Sequence, residues 1–137
     1  MKKLTAFMSS LLLIALILTG CFGGDVSGVK RIVGDSEIYG GGEIRMAMEK
    51  VITLFDREFD GCTLLELEYS EAISGKSGPE WAQQYGADEA IVLVSSFYVD
   101  SIGGDGSLEP DSTYRNYQWI LTRTKGFGWK LRTWGYG

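Results

Sequence analysis

The sequence predicts an α+β domain: a long N-terminal helix packed on a mostly antiparallel sheet of about four strands. Three observations carry this. Ile44, Met48, Val51, Ile52, Phe55 and Phe59 recur at steps of three and four, the period of one helix face. Leu65, Leu67 and Tyr69 alternate with Glu66 and Glu68, the period of a half-buried strand. Gly126-Phe127-Gly128 separates two strand-like runs, Tyr114 to Lys125 and Trp129 to Tyr136, as in a short hairpin. One amphipathic helix on an antiparallel sheet buries both apolar faces.

Taken in order, Val29 to Tyr39 reads either as a short strand with a turn or as part of a leading tether. Gly40-Gly41-Gly42 breaks the chain before the helix, Glu43 to Asp60, and Gly61 stops it. Thr63 to Ser70 is the alternating strand. Glu71 to Gly78 reads as a polar loop, after which Pro79 starts a short helix, Glu80 to Tyr85, because its fixed φ suits a first turn. Glu89 to Asp100 carries apolar residues on both faces, as in a central covered strand. Ser95 and Ser96 interrupt it and mark a bulge or a pocket wall. Ser101 to Ser112 is a glycine- and acid-rich loop. On the last strand Trp129, Leu131 and Thr133 are read as one face, opposed by Lys130, Arg132, Trp134 and Tyr136.

The first 21 residues have a different character. Lys2 and Lys3 precede an apolar run, Ala6 to Leu18, interrupted by Ser9 and Ser10. This is the pattern of a removable export signal, too short to span a bilayer comfortably. Its ending, Leu18-Thr19-Gly20-Cys21, resembles the bacterial lipobox, which implies that Cys21 is lipidated and becomes the mature N-terminus. The expected organisation is signal 1–20, lipidated cysteine and glycine-rich flexible tether 21–28, and a single domain 29–137, anchored at the extracytoplasmic face of the cell membrane.

Composition excludes more than it assigns. The whole chain carries a net charge of −5, which becomes −7 once Lys2 and Lys3 leave with the signal. That balance disfavours nucleic acid as a partner. The chain has no histidine, which removes histidine-based nucleophile pairs and most zinc sites. With Cys21 lipidated, Cys62 stands alone and reads as a buried small apolar residue. No motif calls for a cofactor. Ser74-Gly75-Lys76-Ser77 lacks the earlier glycine of a phosphate loop, since Ser70 stands there. Ser27-Gly28-Val29-Lys30 matches a Ser-x-x-Lys pattern without its companion motifs. Asp100, Asp105, Glu109 and Asp111 form an acidic loop without the spacing of a calcium-binding hand. Glu66, Glu68 and Glu71 read as a solvated face. The aromatic residues are the stronger functional signal. Trp81, Tyr85, Tyr117 and Trp119 are the candidate lining of a concave ligand pocket.

The runs Glu43 to Tyr69, Ala87 to Leu93, Tyr117 to Leu121 and Gly128 to Gly137 together resemble a family of small uncharacterised lipoproteins of intestinal Gram-positive bacteria. That resemblance implies a cystatin-like, nuclear transport factor 2-like fold, with a long helix in a curled sheet, and no catalytic residues to carry over. The expected function is a lipid-anchored, non-enzymatic domain that binds a small molecule, glycan or envelope protein. The alternatives are an interaction subunit of an envelope complex, and a small isomerase or hydrolase built from a carboxylate and a tyrosine.

Overall fold

The computed structural model describes residues 23–136, so the segment read as an export signal, with Cys21, lies outside the described residues. Its elements run β1 (Lys30–Ile32), α1 (Gly41–Glu58), β2 (Cys62–Tyr69), α2 (Glu71–Gln84), β3 (Glu89–Val99), β4 (Thr113–Arg123) and β5 (Lys130–Tyr136). The strands form one sheet in the order β1-β2-β3-β4-β5. β1 pairs parallel to β2, and every other pair is antiparallel. No helix among the described residues is long and apolar enough to cross a membrane.

The expected long N-terminal helix on a four-stranded, cystatin-like sheet is corrected here. The first helix is internal, confined to the 18 residues Gly41–Glu58 and preceded by a strand. Among the described residues there are two helices, and the sheet is mixed and five-stranded. The fifth strand, β1, falls within Val29 to Tyr39, which the sequence left open between a short strand and a tether because β1 has only three residues, KRI, with little apolar content. It is held by register with Glu66 to Glu68 and by the Arg31–Glu49 ion pair to α1.

α1 forms as its periodicity dictates. Ile44, Ala47, Met48, Val51, Ile52 and Phe55 are buried. Gly40 opens the helix and donates its N–H to the Glu43 carboxylate, 3.0 Å away, one half of a capping box. At the far end Gly61 turns the chain with φ of +70°. A Cβ there would lie 2.4 Å from the Asp100 carboxylate, which itself accepts the Ile102 and Gly104 N–H groups. Gly61→Ala is therefore expected to lose about 1–2 kcal/mol to the left-handed backbone alone, and more as Asp100 is displaced. Urea unfolding of the variant measures it.

The expected polar loop Glu71 to Gly78 is instead the first half of α2, which runs unbroken through Pro79. Tertiary contact overrides local propensity here. Ser70 caps the helix by accepting the Ile73 N–H at 3.2 Å. β2 ends at Tyr69, so the early part of β3 has no strand on that side. α2 takes the place of that strand. The Val92 N–H donates to Ser74 Oγ at 2.9 Å, and the Tyr39 hydroxyl donates to the Ala90 carbonyl at 3.0 Å. Gly78 lets the helix come close, since a Cβ would sit 3.1 Å from the Ala90 oxygen. Buried backbone groups are thus satisfied without a neighbouring strand.

β3 is the central strand, and Ala90 to Leu93 are buried on both faces. Ile91, Leu93, Phe97, Trp119 and Leu121 join α1 in the main core. α2 packs on β3 and β4 from the other side. Three register shifts change which residues face that core. One turns Leu65 outward, 41% exposed, so Cys62, Leu64, Leu67 and Tyr69 point in. A second lies beside Ser95 and Ser96, with the extra residue on β4, where Asn116 takes φ of 57°. The third falls at Arg132 on β5. It places Leu131 opposite Leu121, Trp134 opposite Trp119 and Tyr136 opposite Tyr117. The expected grouping of Leu131 with Thr133, against Trp134 and Tyr136, is corrected by that one bulge.

Candidate functional site

The sheet separates the four aromatic residues marked by the sequence. Trp81 lies on α2 and Tyr85 caps its C-terminus, and the two stack on each other with ring centroids 6.3 Å apart. Trp81 meets the sheet beside Gln118, Ile120 and Thr133, away from α1. Tyr117 and Trp119 lie on the α1 face. Trp119 is wholly buried among Phe55, Phe59 and Trp134, and its indole N–H donates to Ser95 Oγ at 2.8 Å. The four residues therefore do not line one pocket. Of them, Tyr117 alone borders the cleft described next.

That cleft, of about 250 Å³, opens where α1 ends and β2 begins. Phe59, Tyr117 and Trp134 supply its aromatic walls, with Glu58, Asp60 and Asp105 around them. Each reaches the cleft for a local reason. Phe59 continues the apolar stripe of α1 one step past the helix. Trp134 is turned to this face by the Arg132 bulge and lies 6.4 Å from Phe59 between ring centroids. Asp105 comes from the glycine-rich loop, where Ser107 donates to it through both N–H and hydroxyl. Those hydrogen bonds hold the Asp105 carboxyl below its ordinary range. Asp60 accepts the Gly23 N–H at 2.6 Å. Among the described residues, no lysine or arginine lines the cleft.

Cys62 closes the back of the cleft. Burial, and then the negative charges of Asp100, Asp105 and Asp60, push its thiol up to about 11. The thiol is thus protonated at neutral pH and a poor nucleophile. The unfolded chain releases that proton nearer 9, so unfolding becomes more favourable as pH rises from 9 towards 11. Tyr39, raised by burial to about 12, extends the loss of stability to higher pH. Cys62 is expected to stay silent to a thiol reagent in the folded domain and to react on unfolding. A time course with and without urea checks this.

Two larger depressions, of about 470 and 660 Å³, lie at the other end of the sheet. The first runs over Gly75 and Gly78 of α2, where the helix packs on β3. The second surrounds Arg123, whose guanidinium is already committed. It bonds to Glu43 at 3.2 Å and to Glu89, and lies 4.4 Å over the Trp129 ring. This cluster ties α1, β3 and β4 together and leaves little free charge for a ligand.

A carboxylate beside a tyrosine, the pairing an enzyme of the expected kind needs, occurs at Tyr69 and Glu71. The Tyr69 hydroxyl donates to Glu71 at 2.7 Å. Ser36, the Glu37 N–H and Tyr69 hold the Glu71 carboxyl below its ordinary value, the opposite of the raised acid that proton donation favours. The pair fastens the loop before α1, since Glu71 also accepts Ser36 Oγ and the Glu37 N–H. No family model matches the chain, and no curated protein or solved structure matches it either.

Proposed function

We propose that this chain is a membrane-anchored, extracytoplasmic binding domain that takes a small cationic group in the cleft of Phe59, Tyr117 and Trp134. The kinship with small bacterial lipoproteins and the lipidation of Cys21 belong to the same proposal. The observation that carries it is the pairing of three aromatic walls with a rim whose charges, among the described residues, are all carboxylates. Aromatic faces attract a cation by about 0.5–2 kcal/mol each, more as water is excluded. Carboxylates add a negative field and accept hydrogen bonds from an amine. At about 250 Å³ the cleft is smaller than most drug-sized ligand sites, which suits an alkylammonium group better than an oligosaccharide. Anions are disfavoured by the same field.

A thermal-shift panel on the domain from Phe22 onward, which keeps the Gly23 and Gly24 hydrogen bonds, tests this reading. Tetramethylammonium, choline and short alkylamines are compared with neutral sugars and with carboxylic acids. A ligand that binds only the folded state adds about 2.7 kcal/mol at a hundredfold excess over Kd. The reading expects saturable stabilisation by the cations alone. Stabilisation by sugars alone returns the cleft to a glycan site. A flat panel on a folded domain favours the interaction-subunit reading, for which Tyr136, 65% exposed on the unpaired edge of β5, is the specific support.

A further inference from the structure

We propose that the end of the domain carrying the C-terminus of α1 and the loop 101–112 stands against the lipid surface, held there by residues 23–25 as a short strut. The inference rests on the reading that Cys21 carries the anchor, and it goes beyond that reading by fixing an orientation. The glycine-rich lead segment reads from sequence as a flexible tether, yet from Gly23 onward it is hydrogen-bonded to the domain. The Gly24 N–H donates to the Asp56 carbonyl at 3.0 Å, and the Asp25 N–H to the Cys62 carbonyl at 2.8 Å. Leu64 N–H returns to the Asp25 carbonyl at 2.9 Å, and Gly23 is held by Asp60. Two elements, the end of α1 and the start of β2, therefore grip three consecutive residues.

The glycines make that grip possible. A Cβ at position 23 would stand 2.2 Å from the Asp56 oxygen, and one at position 24 would stand 2.6 Å from the Phe55 oxygen. Glycine serves here for close backbone approach, not for flexibility. Cys21 is two residues before Gly23, a reach of about 7 Å at full extension. An acyl chain on Cys21 thus brings this end of the domain to the headgroups. The Ile102 side chain, 74% exposed, projects from the same end, and Tyr136 lies there too. The hairpin around Phe127 lies at the other end of β3 and β4, strands of 11 residues each, or about 35 Å away. The cleft accordingly opens near the membrane, where it meets cationic groups at the lipid surface.

Lipidated full-length protein in phosphatidylcholine vesicles tests the orientation. A fluorophore is placed at Ile102→Cys or at Phe127→Cys, the buried Cys62 thiol being unreactive, and a nitroxide on the lipid headgroup serves as contact quencher. The Ile102 label is expected to be quenched several-fold more than the Phe127 label. A Gly/Ser insertion between residues 22 and 23, outside the folded contacts, is expected to reduce that difference. Equal quenching in the parent chain, or stronger quenching at Phe127, overturns the orientation while leaving the anchor intact. Failure of the protein to partition into vesicles, or partition that survives Cys21→Ser, overturns the anchor reading and the orientation with it.

Discussion

Trp119→Ala is expected to destabilise the domain by about 3–5 kcal/mol, the largest effect of any single change at the aromatic cluster. The side chain is fully buried on β4 at the centre of the main core. Phe59 lies 5.3 Å away between ring centroids, Tyr117 and Trp134 lie 5.6 Å away, and Phe55 lies at 6.4 Å. Truncation leaves a cavity bounded by rings from α1, β4 and β5, and rings are poor at collapsing into a void. It also deprives Ser95 Oγ of its 2.8 Å donor, although that hydroxyl keeps the Tyr117 carbonyl as an acceptor. Small domains are stable by about 5–15 kcal/mol in total, so the variant is expected to be partly unfolded at physiological temperature. Urea unfolding followed by near-ultraviolet circular dichroism measures the cost. Trp119→Phe, which keeps much of the volume, is expected to lose clearly less. A Trp119→Ala domain as stable as the parent would mean that the ring is not a core member.

Trp134→Ala is expected to do the reverse, keeping the fold and losing the ligand. Trp134 lies on the edge strand and is 38% exposed, so less packing is lost with it. As a wall of the cleft it faces the proposed cation directly. Loss of a desolvated cation–π contact of about 2 kcal/mol corresponds to an affinity roughly 30-fold weaker. Asp60→Asn and Asp105→Asn remove charge while keeping hydrogen-bonding groups. They are expected to weaken binding less, and mostly at low ionic strength, because exposed charges are screened. Trp81→Ala is the control. It lies on the other side of the sheet, and the affinity for tetramethylammonium is expected to be unchanged. Titration calorimetry on the four variants separates these effects. Equal losses at Trp81 and Trp134 would place the site elsewhere.

The contrast between Trp119 and Trp134 shows where sequence reading succeeds and where it stops. The stripe from Ile44 to Phe55 was legible because a helix keeps its phase, and β3 was legible because a strand buried on both faces needs no phase. β2 and β5 were recognised as strands, but their faces were misread. Each contains one extra residue, and a bulge inverts the alternation from that point on. Nothing in Thr-Leu-Leu-Glu or Leu-Arg-Thr-Trp signals the extra residue, since the shift is set by pairing with the neighbouring strand. Tyr117, one of the four aromatic residues marked by the sequence, borders the cleft, whereas Trp134 was not among the four because its phase is lost at Arg132.

Gly75, Gly78 and Pro79 pointed to a loop because their local propensity opposes a helix. At Gly78 the missing side chain is what allows α2 to lie against the Ala90 carbonyl, and only the tertiary contact reveals that. Gly23 and Gly24 mislead in the same way. A glycine needed for close approach and a glycine in a loose linker are identical in sequence, and they are told apart by the Asp56 and Phe55 carbonyls that face them. The acidic rim was visible as composition, yet its meeting with Phe59 and Trp134 depends on the loop 101–112 folding back onto the end of α1. There the Asp100 carboxylate holds the Ile102 and Gly104 N–H groups.

The most direct test of the cleft is a tryptophan-fluorescence titration of the soluble domain with choline and, in parallel, with its neutral carbon isostere, dimethylbutanol. The two probes share shape and differ in charge. The proposed site predicts saturable quenching by choline, weakened by Trp134→Ala, and little response to the isostere. Equal responses to both probes, or no response to choline in a folded domain, would contradict a cation site built from Phe59, Tyr117, Trp134 and their carboxylate rim.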